Sequence, residues 1–272
     1  MAETSALRMR LRSALVAIPL VLAPVLVGGL PFLVLVAVCA AIAAMEGAAM
    51  FRERGLRPPV ALAAAMALLL VLATAYPDSL PQSTVAALAA LGLVLAFGWR
   101  RLRGACWQRA ALEAGLAVGA ALYVGGLLRY ALPLRQLPLG LAWAAVVLMS
   151  TWGSDTAAYV VGRRWGRRRL APAVSPGKTW EGALAGLAVA VGASAIVAPW
   201  LGLGPPAALA LGLIVGPAAI AGDLFESALK RVADVKDAGH LMPGHGGLLD
   251  RIDSLLFVVV ACYGYALLVG GR

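Results

Sequence analysis

The sequence predicts an all-α, polytopic integral membrane protein with about nine transmembrane helices, its N-terminus cytoplasmic and its C-terminus outside. Three observations carry that prediction. Of 272 residues, 62% are hydrophobic and only 13% charged, about half the charged share of an ordinary globular domain and too few to cover a soluble surface. Uncharged apolar runs recur along the chain, and many reach the length, about 17 residues or more, at which a helix crosses a bilayer. The basic residues, which give a formal net charge of +10, fall almost entirely on one side of the spans so defined.

The chain opens with "MAETSALRMRLR" and an uncharged stretch from Ser13 to Met45. That stretch is about twice the apolar core of a signal peptide and is punctuated by Gly28, Gly29 and Pro31. Two helices joined by a tight turn, with the N-terminus retained, are expected rather than a cleaved leader. Spans are read at 13–29, 31–50, 60–76, 82–98, 111–128, 139–161, 181–200, 206–222 and 254–270. With the N-terminus inside, the inner loops collect every Lys and Arg except Arg129, Arg135 and Arg272. The basic charge is thereby explained without a nucleic-acid partner, and attraction to anionic lipid headgroups is a secondary benefit. Cys39, Cys106 and Cys262 form no CxxC pair and are expected to pack as small apolar residues. Eight of the 13 acids follow residue 150, six of them between Asp223 and Asp253. The chain is therefore divided into membrane spans at 1–135 and a catalytic membrane region at 136–272. Gly216–Pro217 is expected to break the eighth span where it lines water.

Three polar clusters fall at the inner face. In "TWGSDTAAYVVGRRWGRRR", Asp155 interrupts an apolar run, where a charge costs roughly 2.5–3.5 kcal/mol on insertion scales, so it should face a bundle interior or an aqueous cavity. In "SPGKTWEG" the Gly-Lys-Thr resembles a phosphate-cradling loop. That motif needs a glycine where Pro172 stands, and the reading is rejected. What remains is a loop with Ser175, Lys178 and Thr179 before a helix opened by Glu181, a setting that suits an anion such as phosphate. The third cluster begins at "GDLFESALKRVADVKDAGH". At about 100° per residue, Asp223, Ser227 and Lys230 share a stripe, with Glu226 one ridge away. After "MPGHGG" comes "LLDRIDS", where Asp250 and Asp253 stand one turn apart on the entering helix. Carboxylates without cysteines select hard cations such as Mg²⁺, and glycines beside His245 let backbone approach a ligand. Acids, Lys/Arg and a Gly-rich loop together are what polyphosphate transfer requires.

These residues carry a resemblance. "SALKRVADVKDAGHLMPGHGGLLDRID", Ser227 to Asp253, resembles the signature of the phosphatidate cytidylyltransferase (CDP-diacylglycerol synthase) family at all its polar positions, and "SDTAAYVVGRRWG" and "SPGKTWEG" resemble its accessory motifs in order. The specific likeness covers about residues 150–255; the first five spans match only in hydropathy and count. The resemblance implies a membrane enzyme, as a homodimer, that makes CDP-diacylglycerol and pyrophosphate from CTP and phosphatidate. It implies Mg²⁺ held by Asp223, Asp250 and Asp253, with a monovalent ion such as K⁺ beside it. Lys230, Arg231 and Lys236 would contact phosphates, with Ser175, Lys178 and Thr179 closing the site. His245, Gly246 and Gly247 would shape its floor, and Ser227, Arg251 and Asp155 complete the substrate-binding set. An ionised phosphate needs no strong general base to attack, so His245 positions or balances protons rather than acting as the base.

Two other readings use the same parts. A CTP-dependent polyprenol kinase-like enzyme would move the γ-phosphoryl group, but the Lys-Arg, His-Gly-Gly and Asp-Arg-x-Asp spacing favours cytidylyl transfer. A transporter would spread its acids at mid-membrane depth in two related halves, whereas here they bunch at one interface and no repeat is visible. The Ala-, Arg- and Gly-rich composition points to a GC-rich bacterium, and so to the inner membrane with the active site facing the cytosol.

Overall fold

The computed structural model describes residues 19–239, 241 and 246–270. Arg8, Arg10, Arg12, Arg272, the start of the first expected span and His245 lie outside the described residues. The chain is helical almost throughout: α1 is described over 19–27, followed by α2 Gly29–Ala49, α3 Val60–Ala75, α4 Gln82–Leu102, α5 Trp107–Leu128, the short α6 Ala131–Gln136, α7 Gly140–Trp165, α8 Trp180–Val197, α9 Pro205–Ala233 and α10 Leu249–Gly270. Among the described residues six helical segments are long and apolar enough to cross a membrane, and α3 is a shorter apolar helix. The 26-residue α7 is not among the six; Ser150, Thr151, Ser154 and Asp155 dilute its apolar content. The fold is thus an all-α polytopic membrane protein.

The chain divides into two compact units. One comprises the described residues through Leu132 together with Val232–Arg251; the other comprises Pro133–Arg231 and the residues from Ile252 onward. In the first unit, α2, α3 and α5 pack together with α4 alongside. The contacts are made by small residues: a Cβ added to Gly125 of α5 would lie 2.6 Å from the Cα of Ala67 on α3. Without a hydrophobic force between helices in lipid, such close backbone approach supplies the van der Waals cohesion.

The same unit holds an acid that hydropathy conceals. Glu113 of α5 is fully buried. Its carboxylate accepts from the Arg100 Nε of α4, from the Arg109 Nε at 3.1 Å and from the Arg57 backbone N–H at 2.8 Å. Breaking a buried pair by removing one partner costs about 3–5 kcal/mol. Glu113→Ala is accordingly expected to destabilise the first unit by about 3 kcal/mol, seen as a lower unfolding midpoint in detergent. An unchanged midpoint would show that the two arginines are equally well solvated without it.

In the second unit, α7 lies along α8. The Ser154 hydroxyl donates to the Gly186 carbonyl at 2.8 Å, and a Cβ on Gly182 would meet the Ala158 carbonyl at 2.6 Å. Between these helices runs an antiparallel hairpin, β1 Arg169–Ala171 and β2 Ser175–Thr179, with Arg169 opposite Thr179 and Ala171 opposite Ser175. The sequence reading expected only a loop here; Pro and Gly spaced along "LAPAVSPGKT" hide two strands this short. Two further expectations are corrected. The eighth span does not break at Gly216–Pro217: α9 is helical through Pro217 to Ala233. Gly216 instead seats Leu187 of α8, whose Cδ1 would lie 2.6 Å from an added Cβ. Of the cysteines, Cys262 is buried and Cys39 half-buried, as apolar packing requires, but Cys106 is exposed at the N-cap of α5.

Candidate functional site

The continuation of α9 beyond its apolar part sets the geometry of the second unit's polar centre. Asp223, Glu226, Ser227 and Lys230 follow one another at helical spacing. The Ser227 hydroxyl donates to Asp223 Oδ1 at 3.3 Å. Lys230 Nζ lies 2.6 Å from an oxygen of the fully buried Glu226, one turn back. From the hairpin, Lys178 Nζ reaches Asp223 Oδ2 at 2.6 Å, with both side chains partly accessible. Asp253 of α10 is buried at 8% exposure and lies in electrostatic range of Asp223, Glu226 and Asp155. This approach is enforced by Gly222: a Cβ there would stand 2.6 Å from the Asp253 carbonyl oxygen and 2.9 Å from the Ser254 Cα.

The hairpin is fixed at both ends. Arg231 Nε of α9 donates to the Val174 carbonyl at 3.1 Å. Thr179 is the N-cap of α8, its Oγ1 accepting from the Gly182 N–H at 3.2 Å. An added Cβ on Gly166 would sit 2.7 Å from that same Oγ1, so Thr179 is buried as a corner piece. Glu181 accepts from the backbone N–H groups of Arg167 at 3.1 Å and Arg168 at 3.3 Å, closing the turn that leads into β1. Ser175 is half-buried at the start of β2 and Asp155 lies exposed on α7.

In the first unit, the residues around the glycine-rich connection are drawn together by two carboxylates. Asp250, in the first turn of α10, accepts from the Gly247 N–H at 2.8 Å and from the Ala238 N–H at 3.0 Å. Gly246 has φ +79 and leaves only 2.8 Å between an added Cβ and Asp250 Oδ2, so backbone, not side chain, meets the acid. Glu46 of α2 accepts from the Leu249 N–H at 2.8 Å. Lys236 and Arg251 are exposed.

The structure therefore brings Asp223, Ser227, Lys178 and Asp253 together in one unit and Asp250, Gly246 and Gly247 in the other. Glu226 and Glu46 were not among the residues singled out as site residues from the sequence. Glu226 could have been found as the acid beside the Asp223 stripe, and Glu46 as the lone acid in an otherwise apolar α2. Among the described residues no three His, Cys, Asp or Glu side chains form a ready metal cage. Mg²⁺ does not require one, since it keeps waters and is bound through one or two carboxylates plus substrate phosphates. Asp223 and Asp253, oxygen donors without thiol or imidazole beside them, fit that requirement.

Apolar helices enclosing carboxylates that face lysines define a polytopic membrane protein with an ionic centre suited to a cation and a phosphate. The chain belongs to the cytidylyltransferase family, whose model matches residues 8–269. It is similar to the phosphatidate cytidylyltransferase of Bacillus subtilis (strain 168), 39% identical over 159 residues, which cover 56% of this chain and 57% of that protein. The phosphatidate cytidylyltransferase of Pseudomonas aeruginosa is 43% identical over 125 residues, 45% of this chain and 46% of its own length. The uncharacterized protein YnbB of Escherichia coli (strain K12) is 46% identical over 127 residues, 46% and 43% of the two chains. The matched region spans about half the length of these curated relatives.

Proposed function

We propose that the protein is a phosphatidate cytidylyltransferase of a bacterial inner membrane, acting as a homodimer with its site facing the cytosol. It would form CDP-diacylglycerol and pyrophosphate from CTP and phosphatidate. The observation that carries the reading is the pairing of Lys178 with Asp223 at 2.6 Å, beside Ser227 and the buried Asp253. An ammonium and a carboxylate held in contact, each partly accessible, are set to exchange each other for a phosphate oxygen and a cation. Asp223 and Asp253 would hold Mg²⁺, with K⁺ offsetting remaining charge; a divalent ion held there would supply charge neutralisation for phosphate oxygens. Lys178, released from Asp223, would bind a CTP phosphate, and Arg231 keeps the hairpin that carries Lys178 in place through Val174. Lys230, anchored on Glu226, adds positive potential near the leaving group. The phosphatidate oxygen attacks the α-phosphorus of CTP in line as the bond to the β-phosphate oxygen breaks. Because that oxygen is already ionised near neutral pH, no side chain must remove a proton. Asp250 would order the flanks of the glycine-rich connection through Ala238 and Gly247.

The test is transfer of label by the purified full-length protein in liposomes containing phosphatidate. Label from α-labelled CTP should enter lipid only with Mg²⁺ present and should stop on addition of EDTA. Lipid labelled from γ-labelled CTP with a polyprenol acceptor would replace this reading with a kinase.

A further inference from the structure

We infer that Glu46 is a positioning residue for the glycine-rich connection, clamping its two flanks and the start of α10 from a helix about 200 residues earlier in the chain. This rests on the cytidylyltransferase reading only in the reaction it serves; the clamp itself is read from geometry. Glu46 stands near the end of α2 in the run "VAVCAAIAAMEGAA", an otherwise uncharged segment. An acid within an apolar helix is costly unless its oxygens are engaged. Here Oε2 accepts from the N–H of Leu249, the first residue of α10, which is otherwise one of the donors left open at a helix start. The next residue, Gly47, receives the side chain of the same leucine, whose Cδ2 would lie 3.4 Å from an added Cβ. Leu249 is fully buried, so a polar and an apolar contact fix one residue to one helical step of α2.

The two glycines flanking the connection close on the same carboxylate. A Cβ on Gly239 would lie 2.5 Å from Glu46 Oε1, and one on Gly247 would lie 2.6 Å from Oε2. No side chain fits at either place while Glu46 keeps its position. Asp250 accepts from the amides of Ala238 and Gly247. The described flanks of the connection are thus held by two acids, of which Asp250 belongs to the motif and Glu46 does not. Gly239 has no positive φ, so its need for glycine comes from the approach of Glu46, whose atoms are the nearest to an added Cβ, and not from backbone conformation.

The experiment is a double-mutant cycle in the full-length protein in nanodiscs, with Glu46→Ala, Gly239→Ala and the pair, beside Glu46→Gln. Two readouts are taken: hydrogen exchange of peptides covering 236–250, and KM for CTP against kcat. Glu46→Ala should raise exchange across those peptides at least tenfold. Gly239→Ala should be impaired alone, and no worse than Glu46→Ala when combined with it, because the obstructing carboxylate is gone; contacting residues give such non-additivity. Glu46→Gln, which keeps shape, should raise KM for CTP about tenfold with a smaller change in kcat. A role in folding alone would lower the active fraction and leave KM unchanged, and that result overturns the inference. So does unchanged exchange in Glu46→Ala, or an additive cycle. If the wild type transfers no cytidylyl group, the proposed function falls and hydrogen exchange alone decides the clamp.

Discussion

Asp253→Asn is expected to lower cytidylyl transfer by about 10²–10³-fold, the scale of losing one preorganised electrostatic group from a reaction centre, while leaving the protein folded. The two effects should part company because of where Asp253 sits. Its carboxyl is buried and shares its surroundings with Asp223, Glu226 and Asp155. Lys178 and Lys230 are already committed to Asp223 and Glu226. Like charges held this close are destabilising without a cation between them. Removing one should therefore keep or raise the unfolding midpoint of the metal-free protein, even as activity disappears. Activity assayed with Mg²⁺ and thermal unfolding measured in EDTA on the same preparation check both halves. Loss of activity together with a lower midpoint would make Asp253 a structural residue and return the reaction centre to Asp223 alone.

Gly222→Ala should have an effect of comparable size by a different route. The added methyl meets backbone, the Asp253 carbonyl at 2.6 Å and the Ser254 Cα at 2.9 Å, and neither atom can rotate away as a side chain would. Overpacking of this kind costs typically about 1–3 kcal/mol. Here it also moves the helical step carrying Asp223 away from the one carrying Asp253. The expected result is a lower midpoint and at least tenfold lower activity, with Gly222→Val worse in both. A variant with wild-type kinetics would mean that the two carboxylates need not approach as closely as Gly222 allows.

Much of this was legible in the sequence. The apolar runs marked the helices, because a segment that must satisfy its own backbone hydrogen bonds in lipid writes its length directly into composition. The crowding of acids and bases between Asp223 and Asp253 marked where polar side chains pair in each unit, and helical periodicity alone put Asp223 beside Ser227. The partners chosen by those residues were not legible. Lys230 turns to Glu226 on its own helix, whereas Lys178 crosses from the hairpin to Asp223; both choices depend on packing, not on spacing along the chain. Glu46 and Glu113 stayed hidden for the same reason. Each is the single acid of its helix and holds a group on another element. The Gly216–Pro217 pair misled because glycine and proline signal a break by local propensity. In α9 the Gly216 position is filled by Leu187 of the neighbouring helix instead, and the helix carries on through Pro217.

The helix α4 has a consequence for how such a protein can vary. Of its 21 residues only Val85 is fully buried within the bundle, and its many exposed apolar side chains would answer to surrounding fatty chains, which distinguish poorly among Leu, Val and Ala. Most of its sequence is therefore free to drift among apolar residues without penalty. The exceptions include Arg100, the guanidinium that meets Glu113, and Gly92, where an added Cβ would stand 2.7 Å from Leu62 Cδ1 of α3. A shaft of interchangeable residues moored at a few points means that comparisons among relatives should find this helix preserved in length and greasiness, with its identity blurred away from the moorings.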